Sequence, residues 1–77
     1  MTYAVYRFVQ HTIRQAPEGG VTYEAFCMTA GCRAESGGFE DQDDAQDWCL
    51  RHTGRNPGHD LFRRVVTDYA RVLRDEE

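Results

Sequence analysis

The chain has no lysine; all nine of its basic residues are arginine. A guanidinium makes forked contacts to carboxylate and phosphate that a lysine ammonium cannot reproduce. Cysteine is also scarce. Three thiols, an odd number, fit a disulfide framework poorly. They read as free thiols or metal ligands in a reducing compartment. No apolar run approaches the length of a membrane span, which excludes a membrane helix. The N-terminal stretch Met1-Thr2-Tyr3-Ala4-Val5-Tyr6-Arg7 lacks the long apolar stretch of a signal peptide, so a cytoplasmic location is the expectation. The chain is also short of length. At 77 residues, read as a single domain over 1–77, one hydrophobic core is marginal and a metal or other staple is expected.

What is present is ordinary for a globular chain: 40% hydrophobic, 12% aromatic and 29% charged, with a net charge of −4. The charge is unevenly spread. Residues 35–47 carry Glu35, Glu40, Asp41, Asp43, Asp44 and Asp47 and no arginine. Residues 51–74 carry Arg51, Arg55, Arg63, Arg64, Arg71 and Arg74 against Asp60 and Asp68. Two readings stand: charge balanced within the fold on solvated faces, or a basic patch for an anionic partner.

Residues 2–15 alternate in β-branched and aromatic side chains and read as one strand. Ala16-Pro17-Glu18-Gly19-Gly20 marks a turn, and Val21 to Cys27 reads as a second strand, forming a hairpin with the first. Asp41 to Asp44 supplies helix N-cap candidates and a negative first turn, suited to the positive end of a helix dipole. A helix over 42–53 places Ala45, Trp48, Cys49 and His52 on one face, and Thr53-Gly54 stops it. Residues 61–73 fit helix and strand spacing equally well. The fold class is α+β: a small ββαβ domain with a zinc knuckle, its last element a strand or alternatively a helix.

Cys27-x4-Cys32 lies within the spacing of zinc-binding cysteine pairs, and Gly31 allows the tight turn such a loop needs. His52 and His59 supply a second pair, separated by Gly54 and Pro57-Gly58, which let the chain fold back after the helix. Zinc held by Cys27, Cys32, His52 and His59 is the leading reading. Cys49, three residues before His52 and on the same helical face, is the rival ligand, giving Cys27, Cys32, Cys49 and His52. As a plain core residue it would pack as a small apolar side chain. Trp48 reads as the main apolar anchor beside the metal, and His11 as a solvent-facing strand residue.

Tyr6-Arg7-Phe8, Thr22-Tyr23-Glu24 leading to the two cysteines, Glu35-Ser36-Gly37, Trp48-x3-His52 and Gly58-His59-x2-Phe62-Arg63 follow one another in order. In this the chain resembles a group of small actinobacterial, streptomycete-type zinc-finger-like proteins of unknown function. The resemblance spans nearly the whole chain. That family tends to have Cys-x2-Cys where this chain has Cys27-x4-Cys32, and a small residue at the position of Cys49. The resemblance therefore favours His59 over Cys49 as ligand. It also implies a final strand pairing with the N-terminal one, and no established enzymatic activity.

Three functions compete. A structural zinc module serving as a protein-interaction or regulatory accessory protein is favoured, with Arg63, Arg64, Arg71 and Arg74 as partner-binding residues. The alternative is a nucleic-acid-binding zinc finger using the Arg-rich 51–74 surface, against which the acidic helix start weighs. A catalytic zinc with Glu24 or Glu35 as base, or a Cys49–His52 thiolate–imidazole pair, requires an open coordination position or a substrate cleft. The reading is that the chain is not an enzyme.

Overall fold

The alternating segments form strands, and the segment whose apolar residues share one helical face behind an acidic start, Gln42–Arg55, forms the helix. The computed structural model describes residues 2–6 and 9–75, with side chains from residue 10 onward. The elements run β1 (Thr2–Tyr6), β2 (Val9–Gln15), a single 3-10 turn (Pro17–Gly19), β3 (Thr22–Cys27), α1 (Gln42–Arg55), β4 (Phe62–Thr67) and β5 (Ala70–Arg74). The fold is α+β, with one helix and two antiparallel sheets. The chain divides into two compact units: Met1–Gly20 with Asp68–Glu77, and Val21–Thr67.

The first unit holds the three-stranded sheet β1-β2-β5. β1 pairs with β2 from Thr2↔Ile13 to Tyr6↔Val9, and β2 with β5 from His11↔Arg74 to Gln15↔Ala70. The second ladder is extended at both ends, by Ala16 N–H donating to the Tyr69 carbonyl at 2.6 Å and Asp75 N–H to the Gln10 carbonyl at 2.8 Å.

The second unit holds β3 and β4, paired from Thr22↔Thr67 to Cys27↔Phe62. The other edge of β3 is bridged at Tyr23↔Phe39 and Phe26↔Glu35. α1 packs on β3. It begins at Asp41, whose carboxylate accepts from the Asp43 N–H at 2.9 Å, satisfying one of the helix's unpaired amides. Asp43 and Asp44 in the first turn and His52 and Arg55 in the last match the helix dipole. Ala25 and Ala45 are buried, small residues that permit close approach of helix and strand.

Three expectations need correction. Residues 2–15 are not one strand; β1 and β2 are separate strands that pair with each other. Arg7 and Phe8, read as part of that strand, lie outside the described residues. Nor do the N-terminal strand and Val21–Cys27 form a hairpin. Both edges of β2 are already occupied, by β1 and β5, and β3 pairs elsewhere. The intervening Pro17–Gly19 segment is a single 3-10 turn followed by Gly20 at φ 76°, and β2 and β3 are not paired across it. The helix is not stopped at Thr53-Gly54 but runs on to Arg55, where Asn56 caps it.

The ambiguous C-terminal segment is extended, and it is two strands. The chain breaks at Asp68-Tyr69, so β4 pairs with β3 and β5 with β2. The pairing with the N-terminal segment thus belongs to its second half alone.

Among the described residues the only buried apolar side chains are Ala16, Ala25, Cys27 and Ala45, and no large side chain is fully buried. These are small side chains, so the fully buried ones among the described residues contribute little apolar area.

Candidate metal centre

Four side chains from four places in the second unit converge. Cys27 ends β3, Cys32 closes the loop beyond it, His52 lies in the last turns of α1, and His59 follows the helix. Their donor atoms all lie within 4.8 Å of one another. His52 Nε2 and His59 Nδ1 are 3.3 Å apart. Cys27 Sγ is 3.7 Å from His59 Nδ1, and Cys32 Sγ is 3.6 Å from His52 Nε2. In a tetrahedron with metal–nitrogen bonds of about 2.05 Å and metal–sulfur bonds of about 2.3 Å, the N–N edge is about 3.3 Å and the N–S edge about 3.6 Å. The observed separations reproduce those edges. The set is compatible with binding a metal ion. Two thiols and two imidazoles suit borderline and soft transition metals rather than magnesium or calcium.

Local structure holds each donor in place. The Cys27 N–H donates to the Ala34 carbonyl at 3.0 Å, and the Cys32 N–H to the Thr29 carbonyl at 2.9 Å, closing the loop between the cysteines. Gly31 sits in that turn at φ 82°, where a side chain would be strained. His52 is stacked on Trp48, ring centroids 5.1 Å apart at 13°, and Phe62 meets both rings edge-on at 5.9 Å. Asn56 donates to the His52 carbonyl from both its backbone N–H, at 2.9 Å, and its side-chain amide, at 3.0 Å. The Thr53 hydroxyl donates to the His59 carbonyl at 2.6 Å, and the His59 N–H to the Asn56 carbonyl at 2.9 Å. The six-residue gap between the histidines is thus spanned by a capped helix end, with Gly58 at φ 96° just before His59.

Burial pushes the Cys27 thiol up, but hydrogen bonds from the Thr29 side chain and backbone and from Cys32 together outweigh it. The thiol ionises below its ordinary value, which favours the ligating thiolate. Cys49 goes the other way. Burial raises its thiol pKa, a nearby Arg64 lowers it less, and the proximity of Cys27 raises it further. Cys49 is not among the four convergent residues. None of the three cysteines is in a disulfide.

The domain of unknown function DUF7848 has a family model that matches residues 1–77. The chain belongs to that family. No curated protein and no solved structure matches it. A family without an assigned function agrees with the resemblance at that level. The DUF7848 description names no activity.

The arginines singled out in this DUF7848 chain are divided between the units. Arg63 and Arg64 lie on β4, Arg71 and Arg74 on β5. Several cations are already engaged. Arg71 is paired with Glu18, Arg51 with Asp47, and the Arg63 guanidinium lies 4.4 Å over the Phe26 ring. Charge is in part balanced within the fold. His11 lies in β2, half-exposed, opposite Ala4 and Arg74 in the ladders. Among the described residues no helix is long and apolar enough to cross a membrane.

Sequence reasoning missed Phe62, Thr53 and Asn56. Phe62 reaches the site because it pairs with Cys27 across the β3–β4 ladder. Nothing local marks that pairing. Asn56 carried a readable signal, since Asn followed by Pro-Gly just beyond a helix is capping chemistry.

Proposed function

We propose that this chain is a small structural zinc module whose ion holds Val21–Thr67 in shape so that its surface can meet another protein. The observation that carries the reading is the donor geometry, with edges of 3.3, 3.6 and 3.7 Å around one point. Zinc suits it best because a closed tetrahedral set of two thiolates and two imidazoles is a structural zinc site. Four protein donors leave no coordination position for water or substrate, which argues against catalysis. Among the described residues no large side chain is fully buried, which gives the ion a stabilising role to fill.

A nucleic-acid role has less support. The positive end of α1 is covered by Asp41, Asp43 and Asp44, which repel phosphate. Of the arginines in 51–74, Arg51, Arg63 and Arg71 already have partners within the fold.

The test is native mass spectrometry of the purified protein, wild type beside Cys49→Ala and His59→Ala. One zinc per chain is expected in wild type and in Cys49→Ala, with loss or marked weakening in His59→Ala. Zinc retained in His59→Ala but lost in Cys49→Ala would replace the ligand set. No metal in any sample, even after zinc is supplied, would remove the reading.

A further inference from the structure

The second unit's sheet is covered unevenly. α1 packs on β3, and the far edge of β3 is bridged by residues 35 and 39. The outer edge of β4 is unpaired among the described residues. An unpaired strand edge presents a row of N–H and C=O groups that can accept another strand.

The side chains along that edge are unusual for a surface. In the period-two alternation of a strand, Phe62, Arg64 and Val66 share the face towards α1. Phe62 meets Trp48, while Val66 is 59% exposed. Leu61 and Leu50 stand beside them at 66% and 73% exposure. Cys49, Leu50, Asp60, Leu61, Phe62 and Arg64 help line a recess of about 400 Å³ between α1 and β4. Arg64 has no carboxylate partner among the described residues. An apolar ledge, an open edge and an uncommitted cation therefore lie together.

The charges decide what fits. β4 carries Arg63 and Arg64 and no acidic residue. Pairing two copies edge to edge would bring their arginines together, which like-charge repulsion disfavours. A strand bearing a carboxylate meets attraction instead. We propose that the α1–β4 groove receives an extended segment of a partner protein, added as a third strand on β4, with the pattern apolar–x–acidic–x–apolar. Its apolar side chains lie opposite Phe62 and Val66, and its carboxylate accepts from the Arg64 guanidinium.

The proposal rests on the protein-interaction half of the function proposed above and not on the ion's identity. Its test is a titration of ¹⁵N-labelled, zinc-supplied protein with a capped synthetic Leu-Thr-Glu-Thr-Leu peptide. Saturable amide shifts confined to residues 46–50 and 61–67 are expected. Affinity should fall about fivefold with Leu-Thr-Lys-Thr-Leu or with Arg64→Glu, the scale of one exposed ion pair. Equal binding of the lysine peptide, shifts elsewhere, or none at millimolar peptide would overturn the proposal. So would concentration-dependent shifts over 61–67 in the protein alone, which would assign the groove to a second copy. Metal content, read on every sample by native mass spectrometry, keeps failure of the groove distinct from failure of the metal reading.

Discussion

The two units are built differently. Met1–Gly20 with Asp68–Glu77 holds a sheet of three strands whose two backbone ladders overlap on β2, β1 pairing with residues 9–13 and β5 with residues 11–15. Val21–Thr67 has only two full strands and one helix, and it is here that the Cys/His cluster sits. The unit with fewer ladders is the one whose side chains converge on a point. Backbone pairing spreads its contribution over many weak bonds, whereas a metal centre concentrates it in four ligands. One should therefore fail gradually and the other abruptly.

The largest effect separates the units outright. Metal removal by a strong chelator, or Cys27→Ala, should unfold Val21–Thr67, because a structural zinc site contributes on the order of 10 kcal/mol to its folded state. Hydrogen exchange read by amide should lose protection throughout β3, α1 and β4 and retain it in the β2–β5 ladder. Uniform loss across both units would show a single cooperative transition and abolish the contrast. Unchanged protection in β3 and β4 would show that the cluster does not staple them.

How far this contrast was legible in the sequence depends on the range of the signal. The extended segments were legible from alternation, and the helix from Ala45, Trp48, Cys49 and His52 at helical spacing, because both are local. Cys27, Cys32, His52 and His59 could be picked out since a knuckle and a helix end are short-range devices. Strand pairing was not legible. Alternation says that residues 9–15 are extended but not which edges they offer, and no glycine or proline between Thr2 and Gln15 marks the reversal between β1 and β2. The division of 61–73 at Asp68-Tyr69 was hidden for the same reason, since its halves are set apart by distant partners, β3 and β2. Phe62 entered the site through register, which no local pattern carries.

The converse perturbation strikes the other unit. A Cβ at Gly19 would lie 2.4 to 2.7 Å from the ring and Cβ of Tyr69, at the start of the β5 segment. Gly19→Ala must displace Tyr69, and so disturb the bond from Ala16 N–H to the Tyr69 carbonyl. Overpacking of this kind costs about 1–3 kcal/mol. Protection should fall in β2 and β5 with zinc stoichiometry unchanged; a loss of zinc would contradict the separation of the two routes.

A milder change tests the metal loop itself. Gly31 stands at φ 82°, and a methyl group there would have nothing within 4 Å, so Gly31→Ala adds backbone strain without a clash. That strain is about 1 kcal/mol and should appear as a roughly fivefold weaker metal affinity. Competition with a chromophoric chelator measures it. An unaltered affinity would mean that the loop's left-handed turn is not coupled to metal binding.

The smallest effect concerns acid. Glu18 is held below its ordinary pKa, first by a backbone hydrogen bond at its own residue and then by Arg71, whose Nε donates to it at 3.1 Å. A depressed carboxyl pKa contributes stability that is present above the unfolded-state value and lost as pH falls through the folded-state value. The pair is exposed, so the contribution is screened and slight. Glu18→Gln should move the acid midpoint of the three-stranded unit barely beyond experimental scatter. If the proposed ion holds the other unit, acid that displaces it should melt that unit first and steeply. Amide exchange followed between pH 7 and 4 (roughly from neutrality to the ordinary carboxylate range) separates the two, and an acid transition that Glu18→Gln shifts equally in both units would mean that acid does not act through the proposed ion.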